Sequence, residues 1–125
     1  MNENSKRIKQ INTENKIWII YLGIIGLSLY GNYFEKRYFL CNDLYAKKKY
    51  REILIFIFVV LVIVYLYFFL DNYDDVKNLS PCESQKTKDL SKLSLFGSGL
   101  ILLSGIIFLY IAIVDTDINV EIAFN

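Results

Sequence analysis

A chain of 125 residues has room for one domain, and 14 Lys and Arg against 13 Asp and Glu leave a net charge of +1, which implies no general attraction to nucleic acid. The sequence contains no His, so proton shuttling, zinc binding and catalytic triads lose their commonest participant. Two cysteines, Cys41 and Cys82, exclude a disulfide scaffold and any four-cysteine metal site.

Residues 1–16 (MNENSKRIKQINTENK) are polar, with Lys6, Arg7, Lys9 and Lys16 against Glu3 and Glu14. Ile8 and Ile11 share a helical face with Trp18. A short amphipathic lead-in and a solvated, frayed tail are both compatible with this pattern.

The first apolar block is 17–34 (IWIIYLGIIGLSLYGNYF). A basic lead followed by an apolar run resembles a secretory signal, but Ser28-Leu29-Tyr30-Gly31 makes a poor cleavage site. The block therefore reads as an uncleaved transmembrane helix. Trp18, Tyr21, Tyr30 and Tyr33 lie toward its ends, where amphipathic rings prefer the headgroup level. It is the least hydrophobic of the three blocks.

Residues 35–52 (EKRYFLCNDLYAKKKYRE) connect the first and second blocks. Phe34, Tyr38, Cys41 and Tyr45 keep helical spacing, so the first helix continues past its apolar block. Asn42 or Asp43 supplies an N-cap for the next helix, and the expected connection is a tight hairpin near 41–43. Lys47, Lys48, Lys49 and Arg51 form a basic juxtamembrane collar. Such a collar serves as a topology signal, or attracts anionic lipid at about 1 kcal/mol per charge.

The second block, 53–70 (ILIFIFVVLVIVYLYFFL), is the strongest signal in the chain. Eighteen residues carry no charge, Gly or Pro, and sixteen are Ile, Leu, Val or Phe. As a helix it covers about 27 Å, near the hydrocarbon thickness of a bilayer. Strands run shorter, and core helices keep a polar edge. Lacking a small face, it is expected to anchor the protein and to meet lipid over much of its surface.

Residues 71–92 follow. Asp71, Asp74 and Asp75 share a helical face, as a divalent-cation site would need, but no Gly and Glu follow at EF-hand spacing. Ser80-Pro81-Cys82-Glu83 has the form of a capping box with Pro at the first helical position, which places the start of the third helix near Pro81. Asn78-Leu79-Ser80 also matches a glycosylation sequon, which the adjacent Pro81 disfavours.

The third block, 93–114 (LSLFGSGLILLSGIIFLYIAIV), is 22 residues long. Ser94, Gly97, Ser98, Ser104, Gly105 and Ala112 fall within an arc of about 120° when plotted at 3.6 residues per turn. Small residues on one face let helix backbones approach closely in lipid, so this stripe is the candidate helix-packing face. In the tail, 115–125, Ile118, Val120, Ile122 and Phe124 alternate with Asn119, Glu121 and Ala123 at the period of a strand. A helical continuation through Val114, Ile118 and Ile122 competes with that reading.

The expectation is an all-α, small multi-pass integral membrane protein forming a single membrane domain over 1–125. Three transmembrane helices with helical juxtamembrane extensions are expected near residues 5–40, 43–77 and 81–114. The charges leave its orientation open between one frustrated orientation, a first or third segment lying in the interface, and insertion both ways round. Lys47, Lys48, Lys49 and Arg51 precede the second block and Lys86, Lys88 and Lys92 the third. Both helices then want their amino-terminal ends in the cytoplasm, which consecutive spans cannot share. If the second block spans, Cys41 and Cys82 lie on opposite sides and cannot pair.

No motif or paired partner supports catalysis, so no catalytic, cofactor-binding or metal residue is assigned. No small-molecule ligand is evident, and no cofactor is expected. The functional expectation is a non-enzymatic accessory subunit of a larger membrane complex, or a homo-oligomer, packing through the third helix. The expected partners are the lipid bilayer and other membrane subunits or self. The alternative is a small oligomeric transporter, channel or holin-like pore with dual topology; the blocks lack the ionisable groups that solute pathways normally carry. The wealth of Ile, Asn, Lys, Tyr and Phe suggests a low-GC genome, a statement about codons only, and the expected location is the cell membrane of such an organism.

Overall fold

The computed structural model describes residues 3–120. It contains α1 (Glu3–Cys41), α2 (Leu44–Lys77) and α3 (Gln85–Val114), with no strand among the described residues. Each helix is long and apolar enough to cross a membrane. At about 1.5 Å per residue they measure ~58, ~51 and ~45 Å, so each carries polar turns beyond a ~30 Å apolar segment. They run unbroken because the one Pro, Pro81, falls in a connector. The first two match the expected helices near 5–40 and 43–77 to within a few residues. The chain sorts into two compact units that divide within α2, between Ile57 and Phe58.

In the first unit, α1 turns into α2 over two residues. Asn42 adopts φ 54°, the left-handed conformation that Asn tolerates after a helix. Its N–H donates to the Tyr38 carbonyl at 2.7 Å, closing the end of α1. Asp43 then caps α2, its Oδ1 accepting from the backbone N–H of Tyr45 at 3.0 Å and of Ala46 at 3.3 Å. Of the two cap candidates, Asp43 caps and Asn42 turns. The other carboxylate oxygen, Oδ2, lies 2.9 Å from Arg37 Nε.

Buried residues of α1 recur at intervals of seven: Ile17, Ile24 and Gly31, with Phe34 one turn on. Gly31 sits against α2. A methyl group built there would lie 3.2 Å from Ile53 Cγ2 and 3.8 Å from Tyr50 Cδ1. The bulk of Tyr50 and Ile53 thus fills the space that a glycine leaves.

The second unit repeats this device. Gly105 of α3 faces Tyr65, whose Cδ2 lies 2.9 Å from the position a Cβ would take, with Val62 Cγ2 at 3.5 Å. Gly99 faces Phe69 at 3.3 Å. Phe58 and Phe108 bring their ring centroids to 5.9 Å, within the range of favourable aromatic pairs. Toward the end of α2, Ser94 Oγ donates to Asn72 Oδ1 at 2.9 Å.

Two expectations about α3 are corrected. It begins at Gln85, not near Pro81. Residues 80–83 form a turn instead, with the Glu83 N–H bonded to the Ser80 carbonyl at 3.1 Å and the Cys82 N–H to Ser80 Oγ at 3.2 Å. Pro at the second turn position suits this as well as it suits a helix start. The cap is Ser84, in extended conformation, with Oγ accepting from the Thr87 N–H at 3.2 Å. At the other end α3 stops at Val114, so the helical continuation through Ile118 does not form. The Asp115 carboxylate accepts from the N–H groups of Asn119 at 3.0 Å and Val120 at 2.8 Å, a local bond that competes with both helix and strand. Ile118 is left at φ 55°, a strained conformation for a β-branched residue. Residues 121–125, the remainder of the alternating tail, lie outside the described residues.

Candidate functional site

With no motif for chemistry, the features that can act are the surfaces by which helices meet. Of the three helices, α2 contributes most to these surfaces. Burial takes 33% of the most apolar segment of α2, against 22% for α1 and 11% for α3. Ala46, Tyr50, Ile53, Leu54, Ile57, Phe58, Leu61 and Val64 are all buried. Steps of three and four residues hold them to one stripe of the helix. The other two-thirds of that segment is not buried, so the packed stripe occupies one side of α2 and leaves the rest of its surface open. The 53–70 stretch of α2 has no small residue and packs closely because its neighbours carry them, at Gly31, Gly99 and Gly105.

The six residues of the small-residue stripe on α3 divide. Gly105 and Ala112 are buried, Gly105 beneath the Tyr65 ring. Ser98 is half-buried, and its hydroxyl donates to the Leu95 carbonyl at 2.9 Å. Ser94 is exposed yet bonded to Asn72. Ser104 is exposed, its hydroxyl donating to the Ile101 carbonyl at 2.8 Å. A Cβ at Gly97 would meet nothing within 4 Å. Gly97 and Ser104 therefore form an open edge, while Gly105 and Ala112 are already covered.

Asn72 was not marked by the sequence reading, although it is the first amide beyond the second apolar block. Its Nδ2 donates to the Phe68 carbonyl at 2.9 Å, which fixes the carboxamide so that Oδ1 accepts from Ser94. Beside this clasp Asp75, Thr87, Leu90 and Ser91 help line an open crevice of about 290 Å³. It offers one carboxylate, hydroxyls and an amide, with no nucleophile–base pair. Asp71 and Asp74 do not join Asp75 as a ligand set. Among the described residues no three His, Cys, Asp or Glu side chains come together as metal ligands would. Cys41 and Cys82 are free thiols and both exposed.

The basic collar is uneven. Lys48 is exposed, whereas Lys47, Lys49 and Arg51 are half-buried. Lys47 Nζ lies 5.4 Å from the centroid of the Tyr38 ring, within cation–π range. Nearby, a hydrogen bond that the Arg37 guanidinium donates to Tyr33, and then the charge of Asp43, raise its pKa above the ordinary value. The collar and the α1–α2 turn thus form one polar cap over an apolar hairpin.

No family model, curated protein or solved structure matches this chain. The fold and these surfaces carry the functional argument by themselves.

Proposed function

We propose that the chain is a small, non-enzymatic integral membrane protein that crosses the cell membrane of a low-GC organism three times. It works as an accessory subunit of a larger membrane complex, or as a homo-oligomer, and meets its partner through the small-residue face of α3. The observation that carries this reading is the open edge at Gly97 and Ser104. It is a close-approach surface left unfilled on the helix that buries least of its apolar segment. The Lys47–Arg51 collar serves at the bilayer surface as a topology signal.

The test is purification of the full chain in mild detergent and in native nanodiscs, with cross-linking to record its neighbours. A partner, or a second copy, in both preparations supports the proposal. Recovery as a lone monomer in both sinks it. Ion conductance by the reconstituted protein would instead favour an oligomeric pore, a reading weakened by the Ser98 and Ser104 hydroxyls donating back into their own helix.

A further inference from the structure

Away from the small-residue edge, α3 carries a second surface. Phe69 of α2 and Lys92, Leu95, Phe96, Gly99 and Leu100 of α3 line an open groove of about 390 Å³. Gly99 and Gly97 are two residues apart, which places them about 200° apart around the helix. The groove is therefore not the proposed partner edge. The Phe69 ring lies against Gly99, and the groove opens beside it.

Chemistry changes along the groove. Its wall is aromatic and aliphatic, and Lys92 stands at the residue before the apolar segment of α3 begins. Gly99 is seven residues further, about 10 Å deeper. Lys92 is exposed and forms no ion pair among the described residues. Its neighbour one turn earlier, Lys88, donates to the Pro81 carbonyl at 3.3 Å, and Asp89 is engaged by Gln85 at 2.8 Å. A lysine of this kind lays its stem along apolar surface and keeps its ammonium in water. A cation above a strip of apolar wall has the order of groups found in a phospholipid, phosphate first and acyl chain beneath.

We propose that this groove holds one acyl chain of an anionic phospholipid, with the phosphate paired to Lys92. This rests on the membrane reading above and adds to it a preferred lipid. One lysine near the surface gives about fivefold enrichment over a zwitterionic lipid.

The test reconstitutes the full chain in nanodiscs of phosphatidylcholine and phosphatidylglycerol in equal parts. Lipids retained after mild detergent release are counted by native mass spectrometry. Wild type and Lys86→Gln should both retain phosphatidylglycerol in preference to phosphatidylcholine, and Lys92→Gln should lower that preference about fivefold. Gly99→Leu, which fills the groove, should reduce retention of both. Lys92 is exposed, so its variant keeps the helix content of wild type by circular dichroism. Parity in wild type, or an unchanged preference in Lys92→Gln, overturns the proposal. So does a Gly99→Leu variant that alters self-association while leaving lipid retention intact, because the groove would then seat a second copy. Failure of the chain to enter nanodiscs at all would count against the membrane reading, a result distinct from entry without preference.

Discussion

Between α1 and α2 the chain reverses in two residues, Asn42 and Asp43, whereas between α2 and α3 it takes seven, 78–84. The short turn is held by backbone chemistry: a left-handed residue, a carboxylate cap, and an ion pair from Arg37 to the same carboxylate. The long connector makes its own turn at 80–83 and leaves the pairing of α2 with α3 to contacts beyond it. Those contacts are the Asn72–Ser94 hydrogen bond and the rings of Phe69 and Tyr65 over Gly99 and Gly105. A tight hairpin is thus specified where it turns, and a loose one where its helices touch.

The sharpest way to break this contrast is Gly105→Ala. Its methyl would lie 2.9 Å from Tyr65 Cδ2, a distance that forces the ring or the helix to move. The expected loss is about 1–3 kcal/mol, read by chemical unfolding in mixed micelles. Gly31→Ala, at 3.2 Å from an Ile53 methyl, should cost less because its overlap is smaller, with the ~1 kcal/mol helix preference of Ala over Gly offsetting part of the cost at both sites. Equal effects would show that the two glycines are not graded by their neighbours.

Caps come next. Asp43→Ala should lose about 1 kcal/mol, and Asp43→Asn much less, because Asn keeps the capping oxygen. If the two variants are equally destabilised, the Arg37 pair and not the cap holds the turn. At the other connector, Ser84→Ala should also lose about 1 kcal/mol, with Ser80→Ala close to wild type. The reverse order would restore the helix start to Pro81.

Smaller effects refine the picture. Ser94→Ala removes the bond between α2 and α3 and should lose about 0.6 kcal/mol, the average for such bonds between membrane helices. Gly97→Leu should not lower the unfolding midpoint, since nothing lies within 4 Å of its Cβ position, and the helix preference of Leu over Gly should raise it slightly. It should nonetheless weaken association measured by cross-linking. A shift in stability without a change in association would remove Gly97 from the proposed interface.

Much of the fold was legible because apolar runs of this length admit few alternatives. The polar 35–52 stretch also revealed its turn, as Asn42 and Asp43 each have a local preference that needs no partner. The start of α3 misled because Ser80-Pro81 and Ser84 both offer starting chemistry, and the choice between turn and helix depends on only a few hydrogen bonds. The packing role of α2 was hidden for a different reason. A segment that is apolar on every side gives no periodic signal of which side is buried, so Phe58 and Phe56 look alike in sequence although only Phe58 is enclosed. The partners did leave a trace: Ile17, Ile24 and Gly31 recur every seven residues, the interval at which helix neighbours meet. On α3, counting small residues gave the arc but not its division, because Gly97 and Gly105 differ only in what stands opposite.

The closeness of Tyr65 to Gly105 also bears on how this sequence can drift. Neither position can change size alone without a clash or a void, so the two constitute a single unit of inheritance. Among diverged copies of this chain, residue volume at 65 and at 105 should vary inversely. Position 97, with open space before it, should follow the identity of whatever helix it meets.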